Sequence, residues 1–184
     1  MAQKTIMIYR HNRLLLLSIF LLLANILVYS AEGEDARLHA KETFDFSLET
    51  LEGEKIQLKD YRGKKIVHLV FWSTWCPKCL MDMAKLKELW KTSENSPYEI
   101  LAVNVGLNES KKRIHKIRSE YQIPFRIVLD NKSKVTKDFG VMSIPFNIII
   151  DKDGTITDRF SDLPKDPKDL LNKVSLGQLN HLNH

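Results

Sequence analysis

Short apolar runs alternate along most of this chain with segments whose apolar residues recur at helical spacing. Period-two alternation, or a continuous β-branched run, predicts a strand, whereas apolar residues at i, i+3 and i+4 predict a helix. The predicted strands are 44–48, 55–58, 66–72, 100–105, 125–129, 143–150 and 155–160. The predicted helices run from Cys76 to near Thr92, over 110–121, over 135–139, and onward from Asp166-Pro167.

The order of these elements decides the fold class. The first two strands are joined by Glu52-Gly53 and the last two by the turn 151–154, so both pairs are predicted β-hairpins. Between the hairpins, strands and helices alternate, which makes neighbouring strands parallel. The sequence therefore predicts an α/β fold, a three-layer α/β/α sandwich with a mixed central sheet and an N-terminal hairpin.

The first 31 residues differ from the rest of the chain. Lys4, Arg10 and Arg13 precede a 16-residue apolar run, 14–29. This run is slightly long for a signal peptide and slightly short for a membrane span. We expect an exported protein in which residues 1–31 are either a cleaved signal peptide or an uncleaved membrane anchor. Residues 32–42 are then a linker, 43–176 the folded domain and 177–184 a flexible tail.

The distribution of charge excludes one class of partner. The formal net charge is +5, but three basic residues and no acidic residue precede residue 32, which leaves +2 for the rest. The cluster Lys111-Lys112-Arg113 is typical of a solvated helix face, and no basic stripe interleaved with aromatic residues is present. We therefore expect no nucleic-acid partner.

The two cysteines of the chain, Cys76 and Cys79, lie where an apolar strand meets a helix. The first sulfur is then at the helix N-terminus, where unpaired N–H groups and the helix dipole lower the pKa of a thiol. A disulfide in so small a loop stabilises little, so a reactive pair is favoured over a structural one. Zinc needs two further ligands, and the tail pair His181 and His184 is typical of a frayed end, so no metal is expected.

Several neighbours of this pair have both a functional and a structural interpretation. Lys78 either favours a thiolate by charge attraction or only keeps the surface soluble, while Pro77 suits the first turn of a helix. Trp75 is expected at the surface of the site and Trp72 in the core. His68, in the apolar strand, is expected to be a hydrogen-bonded core histidine.

Three blocks of residues resemble the thioredoxin superfamily, and within it the exported TlpA/ResA/DsbE-type thiol-disulfide oxidoreductases. The blocks are the lead-in hairpin over 44–64, the run Phe71-Trp72-Ser73-Thr74-Trp75-Cys76-Pro77-Lys78-Cys79, and Gly140-Val141 with Ser143-Ile144-Pro145 and Gly154. The similarity covers the chain from residue 42 to residue 174.

The resemblance implies roles for five residues. Cys76 is the exposed attacking cysteine and Cys79 the buried resolving one. Pro145 is a cis-proline that faces the disulfide, and Ile144 presents its backbone to a substrate strand. Asp82 stands where related proteins have an acidic residue, usually Glu, near the active site. There it either accepts the proton of Cys79 or is a solvated helix charge.

The resemblance also implies a protein-disulfide reductase of the cytochrome c maturation type that needs no cofactor. Its partners are then a client disulfide, in apocytochrome c or its chaperone, and a membrane thiol reductase, in the periplasm or on the outer face of the membrane. Two departures concern the site. Val70 stands at the buried-acid position of ordinary thioredoxin, and Phe146-Asn147 replace the usual Thr or small polar residue after the cis-proline.

Two other functions stay open. The lead-in hairpin also resembles peroxiredoxins, although the Pro-x-x-x-Thr pattern that usually precedes a peroxidatic cysteine is missing here. The other is a redox-inert binding module or a metallochaperone whose cysteine pair binds copper(I), with Met81 and Met83 the soft side chains that lie close in sequence. Helical spacing favours core packing for Met83.

Overall fold

A computed structural model of the protein describes residues 45–175. The predicted leader, linker and tail, with His181 and His184, lie outside these residues. The strands are β1 Ser47–Thr50, β2 Lys55–Gln57, β3 Ile66–Trp72, β4 Tyr98–Asn104, β5 Arg126–Leu129, β6 Phe146–Ile150 and β7 Ile156–Phe160. The α-helices are α1 Pro77–Ser93, α2 Lys111–Tyr121, α3 Lys134–Asp138 and α4 Lys168–Ser175, and a 3-10 helix covers Leu58–Tyr61.

The seven strands form one mixed sheet in the order β2-β1-β5-β4-β3-β6-β7. The central strands β3, β4 and β5 are parallel, and the remaining neighbours are antiparallel. The predicted α/β fold with a mixed sheet and a hairpin at its start is therefore confirmed. Because β6 is the antiparallel neighbour of β3, the segment that follows the carboxyl end of β3 lies next to the segment that precedes β6.

Two layers of core cover the two faces of the sheet. Val70 and Trp72 of β3 belong to a cluster that includes buried residues of α1, α2 and α4, whereas Leu69 and Phe71 belong to a second cluster with the 3-10 helix and α3. This alternation is the period-two pattern of a strand that is buried on both sides. The three-layer arrangement follows from it.

Two strands begin three residues later than the sequence predicts. The first was expected at 44–48, but β1 begins at Ser47 because the Asp45 carboxylate accepts the N–H groups of Phe46 and Lys59. The strand expected at 143–150 begins at Phe146 because the preceding Ile144–Pro145 bond is cis and proline has no N–H to donate. The irregular segment before β6 therefore remains free to approach the cysteines.

Candidate functional site

The cysteine pair lies at the N-terminus of α1, directly after β3. Cys76 and Cys79 form a disulfide, with their Cα atoms 5.3 Å apart. Cys76 is the N-cap residue of α1, Pro77 begins the helix, and the Cys79 N–H donates to the Cys76 sulfur at 3.1 Å. The predicted position of the first sulfur at a helix N-terminus is confirmed.

The disulfide is more covered than the resemblance implies. Cys76 is 5% exposed and Cys79 is 1% exposed, so the first cysteine is the more accessible one but is still buried. Its cover includes the segment before β6, because the carbonyl oxygen of Ile144 lies 3.9 Å from the Cys76 sulfur. Pro145 follows with the cis bond that the resemblance implies, and its side chain is buried.

Asp82 lies one turn after Cys79 on the buried side of α1. The residue is only 7% exposed, and its Oδ2 atom has no hydrogen-bond partner among the described residues. Burial raises the pKa of this carboxyl group above its usual value, while the charges of Lys85, at 3.8 Å, and Lys78 oppose the increase. Asp82 is therefore not the solvated helix charge that was one of its two interpretations.

Lys78 is half-exposed and forms an ion pair with Asp162, in the loop after β7. From the sequence, this ammonium group was expected either to attract a nearby thiolate or to be solvated. Asp162 was missed because it lies 84 residues further along the chain. The ion pair partly neutralises the positive charge next to Cys76.

The two tryptophans near the pair have different environments. Trp72 is fully buried in the core, as predicted. Trp75 is 47% exposed, and its indole N–H donates to the carbonyl oxygen of Leu107 at 2.8 Å. Trp75 is thus at the surface of the site, and the loop between β4 and α2 holds it there.

That loop also carries an acidic residue that the sequence did not identify as part of the site. The Glu109 carboxylate accepts the Thr74 N–H at 2.5 Å and the Thr74 hydroxyl at 2.7 Å. The pattern Asn108-Glu109-Ser110 indicated only a helix cap, and Ser110 is indeed the N-cap of α2. No local signal shows that Glu109 reaches a residue 35 positions earlier.

His68 is the core histidine that the sequence predicts. It is fully buried, and its Nε2 and Nδ1 atoms lie 2.9 Å from Asn147 Oδ1 and from the Tyr98 hydroxyl. An amide oxygen only accepts, so Nε2 carries the proton and Nδ1 accepts from Tyr98. Burial lowers the pKa of His68 to about 4, so the ring is neutral near pH 7. Asn147, the departure after the cis-proline, thus has a structural partner.

Two further observations bear on metal binding and membrane insertion. Met83 is 2% exposed in the core, as its spacing predicts, while Met81 is 69% exposed. Within residues 45–175, no three His, Cys, Asp or Glu side chains come together as a potential metal site. None of the helices in this range is long and apolar enough to cross a membrane.

Fold and site together define a class of protein. A mixed sheet between helical layers, with a Cys-x-x-Cys disulfide at a helix N-terminus opposite a cis-proline, is the thioredoxin-like arrangement. The chain belongs to the AhpC/TSA family, whose family model matches residues 40–159.

Individual relatives agree with this assignment. The thiol-disulfide oxidoreductase ResA of Bacillus cereus (strain ATCC 10987 / NRS 248) is 32% identical over 140 residues, which are 72% of this chain and 79% of that protein. The ResA protein of Geobacillus thermodenitrificans (strain NG80-2) is 42% identical over 97 residues. In that comparison the match spans only about half of each protein, 53% of this chain and 54% of the relative.

A solved structure has the same fold over almost its whole length. The pneumococcal exposed lipoprotein thioredoxin from Streptococcus pneumoniae strain TIGR4 superposes with a TM-score of 0.62 at 25% identity. The superposition covers 72% of this chain and 99% of that one. The predicted resemblance to the thioredoxin superfamily and its ResA-type branch is confirmed.

Proposed function

We propose that this protein is a thiol-disulfide oxidoreductase whose reactive groups are the sulfurs of Cys76 and Cys79. One observation carries the proposal: the disulfide lies at the N-terminus of α1, with the cis-proline segment against its first sulfur. The helix terminus favours a thiolate on Cys76 after reduction, because a backbone N–H already points at this sulfur. The names of the ResA relatives support the same activity.

The exchange proceeds in two steps. In the dithiol form, the Cys76 thiolate attacks one sulfur of a client disulfide, and the second client sulfur leaves as a thiolate. Cys79 then loses its proton and attacks the Cys76 sulfur, which breaks the mixed disulfide and releases the first client sulfur. Two electrons have passed to the client, and the protein has returned to the disulfide form.

Asp82 is proposed as the acceptor of the Cys79 proton. The Cys79 thiol is buried, so bulk water cannot take its proton directly, and Asp82 lies one turn away on the same helix. Since burial raises the pKa of Asp82, its carboxylate is a stronger base than an exposed aspartate. The short Asp side chain in place of Glu fits this role if one water molecule bridges the two groups.

The client is proposed to bind over the edge formed by Ile144-Pro145 and Trp75. The cis-proline segment presents the Ile144 carbonyl beside the reacting sulfur, and Trp75, directly before Cys76, offers a half-exposed aromatic surface. Pro77 and Lys78 form the first turn of α1 between the cysteines, where Lys78 contributes a partly neutralised positive charge.

A mixed-disulfide trap tests the activity. In the Cys79→Ser variant, the Cys76 thiolate should attack a client but cannot be resolved, so a disulfide-linked adduct should accumulate. Cys76→Ser is the matched control and should give no adduct through Cys79, because that sulfur is 1% exposed. If neither variant forms an adduct while Cys76 consumes hydrogen peroxide rapidly, the peroxidase alternative is correct instead.

We further propose that electrons flow from this protein to its client. The Lys78 charge is shared with Asp162, and the buried Asp82 carboxylate disfavours another negative charge nearby, so both oppose the stabilisation of a Cys76 thiolate by the helix terminus. The reduction potential of the pair should then lie near or below about −270 mV, the value of a reductant such as thioredoxin. A value near about −120 mV would identify an oxidant that introduces disulfides.

The client and location are proposed from the resemblance and the leader sequence. The protein would act outside the cytoplasmic membrane, on a disulfide of apocytochrome c or of its chaperone, and a membrane thiol reductase would regenerate the dithiol. One solved relative is described as an exposed lipoprotein. After the outer membrane is permeabilised and the cytoplasmic membrane is left intact, added protease should degrade the domain if it faces outward and should spare it if it is cytoplasmic.

A further inference from the structure

The two residues before Cys76 are bonded to a single loop, the one between β4 and α2. Thr74 donates both its N–H and its hydroxyl to the Glu109 carboxylate. Trp75 donates its indole N–H to the carbonyl oxygen of Leu107. Consecutive residues beside the disulfide are therefore held at two points by residues more than 30 positions away.

The loop that holds them is itself fixed to the sheet. Asn104, the last residue of β4, donates its side-chain N–H to Glu109 at 3.2 Å and accepts the Gly106 N–H at 3.2 Å. The carbonyl oxygen of Val105 accepts the Ser133 hydroxyl at 2.6 Å. Glu109 thus connects the segment before Cys76 to a braced part of the molecule rather than to a loose surface loop.

The residues held in this way include two exposed apolar side chains next to the disulfide. Trp75 is 47% exposed and Leu107 is 57% exposed, and we call this pair the apolar rim. Among the described residues, the other large apolar side chains that are strongly exposed are Met81, two residues after Cys79, and Met142, three residues before Pro145. Exposed apolar groups are thus concentrated in the segments that carry the site, which is typical of a surface for partners.

We propose that Glu109 is a positioning residue, which holds Trp75 and Leu107 as a preformed apolar rim for an apolar side chain beside the reacting cysteine of a client. This inference rests on the proposed oxidoreductase function and specifies its client. A rim that is already ordered loses little conformational entropy when a client binds. More of the free energy gained by burying apolar area therefore contributes to the binding affinity. Without Glu109, Thr74 loses both of its acceptors, and the neighbouring Trp75 becomes more mobile. Each binding event then has to fix the Trp75 side chain, which costs conformational entropy.

Two peptide substrates test this specificity. Each contains one disulfide, with Leu beside both cysteines in the first peptide and Ser in the second. The reduced wild-type protein should react about tenfold faster with the Leu peptide, the effect expected from partial burial of one apolar side chain. In Glu109→Gln this preference should fall to about twofold or less, because Gln supplies one acceptor oxygen in place of two and points an N–H₂ group at a donor.

Controls separate positioning from general destabilisation. Glu120→Gln removes the same charge from an exposed position on α2 and should keep the full preference for the Leu peptide. Thr74→Val removes only the hydroxyl donor and should lose part of the preference, whereas Thr74→Ser keeps the donor and should retain it. The reaction with the Ser peptide should change by less than about twofold in all variants, since a merely unfolded fraction would slow both peptides equally.

A second readout does not depend on activity. Hydrogen exchange of the Trp75 indole N–H and the Thr74 amide, measured by NMR, should accelerate in Glu109→Gln and not in Glu120→Gln. If the wild-type protein reduces both peptides but Glu109→Gln keeps the Leu preference and slow exchange, the positioning role is wrong and the proposed function stands. If the reduced wild-type protein reacts with neither peptide, the proposed function fails while the exchange data still decide the role of Glu109.

Discussion

At the scale of single residues, Asp82 is the most informative side chain after the cysteines. Its folded pKa is raised, so protonation stabilises the folded protein, and this stability is lost as the pH rises through the raised pKa. Asp82→Asn should therefore be more resistant to urea than wild type at pH 7, and the difference should shrink toward pH 4. The same variant should resolve the mixed disulfide on the order of 100-fold more slowly, the low end of what proton transfer supplies.

Stopped-flow measurement of the resolution step against pH separates these two effects for Asp82. Asp82→Glu is the matched variant, since it keeps a carboxylate at this position and should recover most of the rate. A resolution rate in Asp82→Asn that equals wild type at every pH would contradict the proton-acceptor role.

His68 makes the opposite contribution to the pH dependence. Its folded pKa is about 4, below its usual 6.5, so the stability it contributes is complete above pH 6.5 and is lost as the pH falls toward 4. The full difference corresponds to about 3 kcal/mol. Between pH 6.5 and 4, His68→Gln should lose less stability than wild type in urea titrations, because glutamine does not titrate. Equal losses in both proteins would mean that His68 is not neutral in the folded state.

At the scale of elements, the loop between β4 and α2 depends on one glycine. Gly106 has a φ of +74°, and a Cβ atom there would lie 2.4 Å from the backbone oxygen of Asp130. Gly63 has the same φ, but nothing lies within 4 Å of its Cβ position. Gly63→Ala should therefore cost about 1 kcal/mol for the backbone conformation alone. Gly106→Ala should cost at least about 2–3 kcal/mol, because the clash with backbone adds to that strain.

Urea unfolding of the two glycine variants provides the comparison, with the slope of each transition checked against wild type. Because Gly106 lies in the loop that carries Leu107 and Glu109, its variant should also lose part of the preference for the Leu peptide, while Gly63→Ala keeps it. Equal costs in the two variants would contradict the close approach of this loop to Asp130.

The elements also show what local sequence can and cannot predict. Strand β3 has the predicted bounds, because its run is apolar except for His68, whose ring bonds to side chains and leaves the backbone free for the sheet. The segment before β1 is different, since the Asp45 side chain takes N–H groups that a strand would use. The contacts of Glu109 and Asp162 join residues far apart in sequence, so they follow only from the assembled sheet. The pair at the helix terminus was predictable because strand, cysteines and helix are consecutive.

At the scale of the whole molecule, the sheet brings three separate segments to one place. The cysteines follow β3. Ile144-Pro145 come directly before β6, the antiparallel neighbour of β3, and the loop with Glu109 follows β4, its parallel neighbour. The disulfide is buried where these segments meet, which explains why the Cys76 sulfur is less exposed than the resemblance implies. In the proposed function, the client approaches this sulfur beside Ile144 and the exposed Trp75.

This arrangement predicts how the redox state affects the stability of the entire domain. The reduced form must hold a thiolate and a buried thiol close to the Asp82 carboxylate, while the Lys78 charge is largely directed at Asp162. By the thermodynamic cycle that links folding and reduction, a reductant is a protein whose disulfide form is the more stable one relative to the unfolded chain. The oxidised protein should thus unfold at a higher urea concentration than the protein in dithiothreitol. The double variant Cys76→Ser/Cys79→Ser controls for the reagent and should unfold at the same concentration with or without it. A reduced form that outlasts the oxidised one would assign the protein to the oxidants, whose dithiol state is the stabilised one.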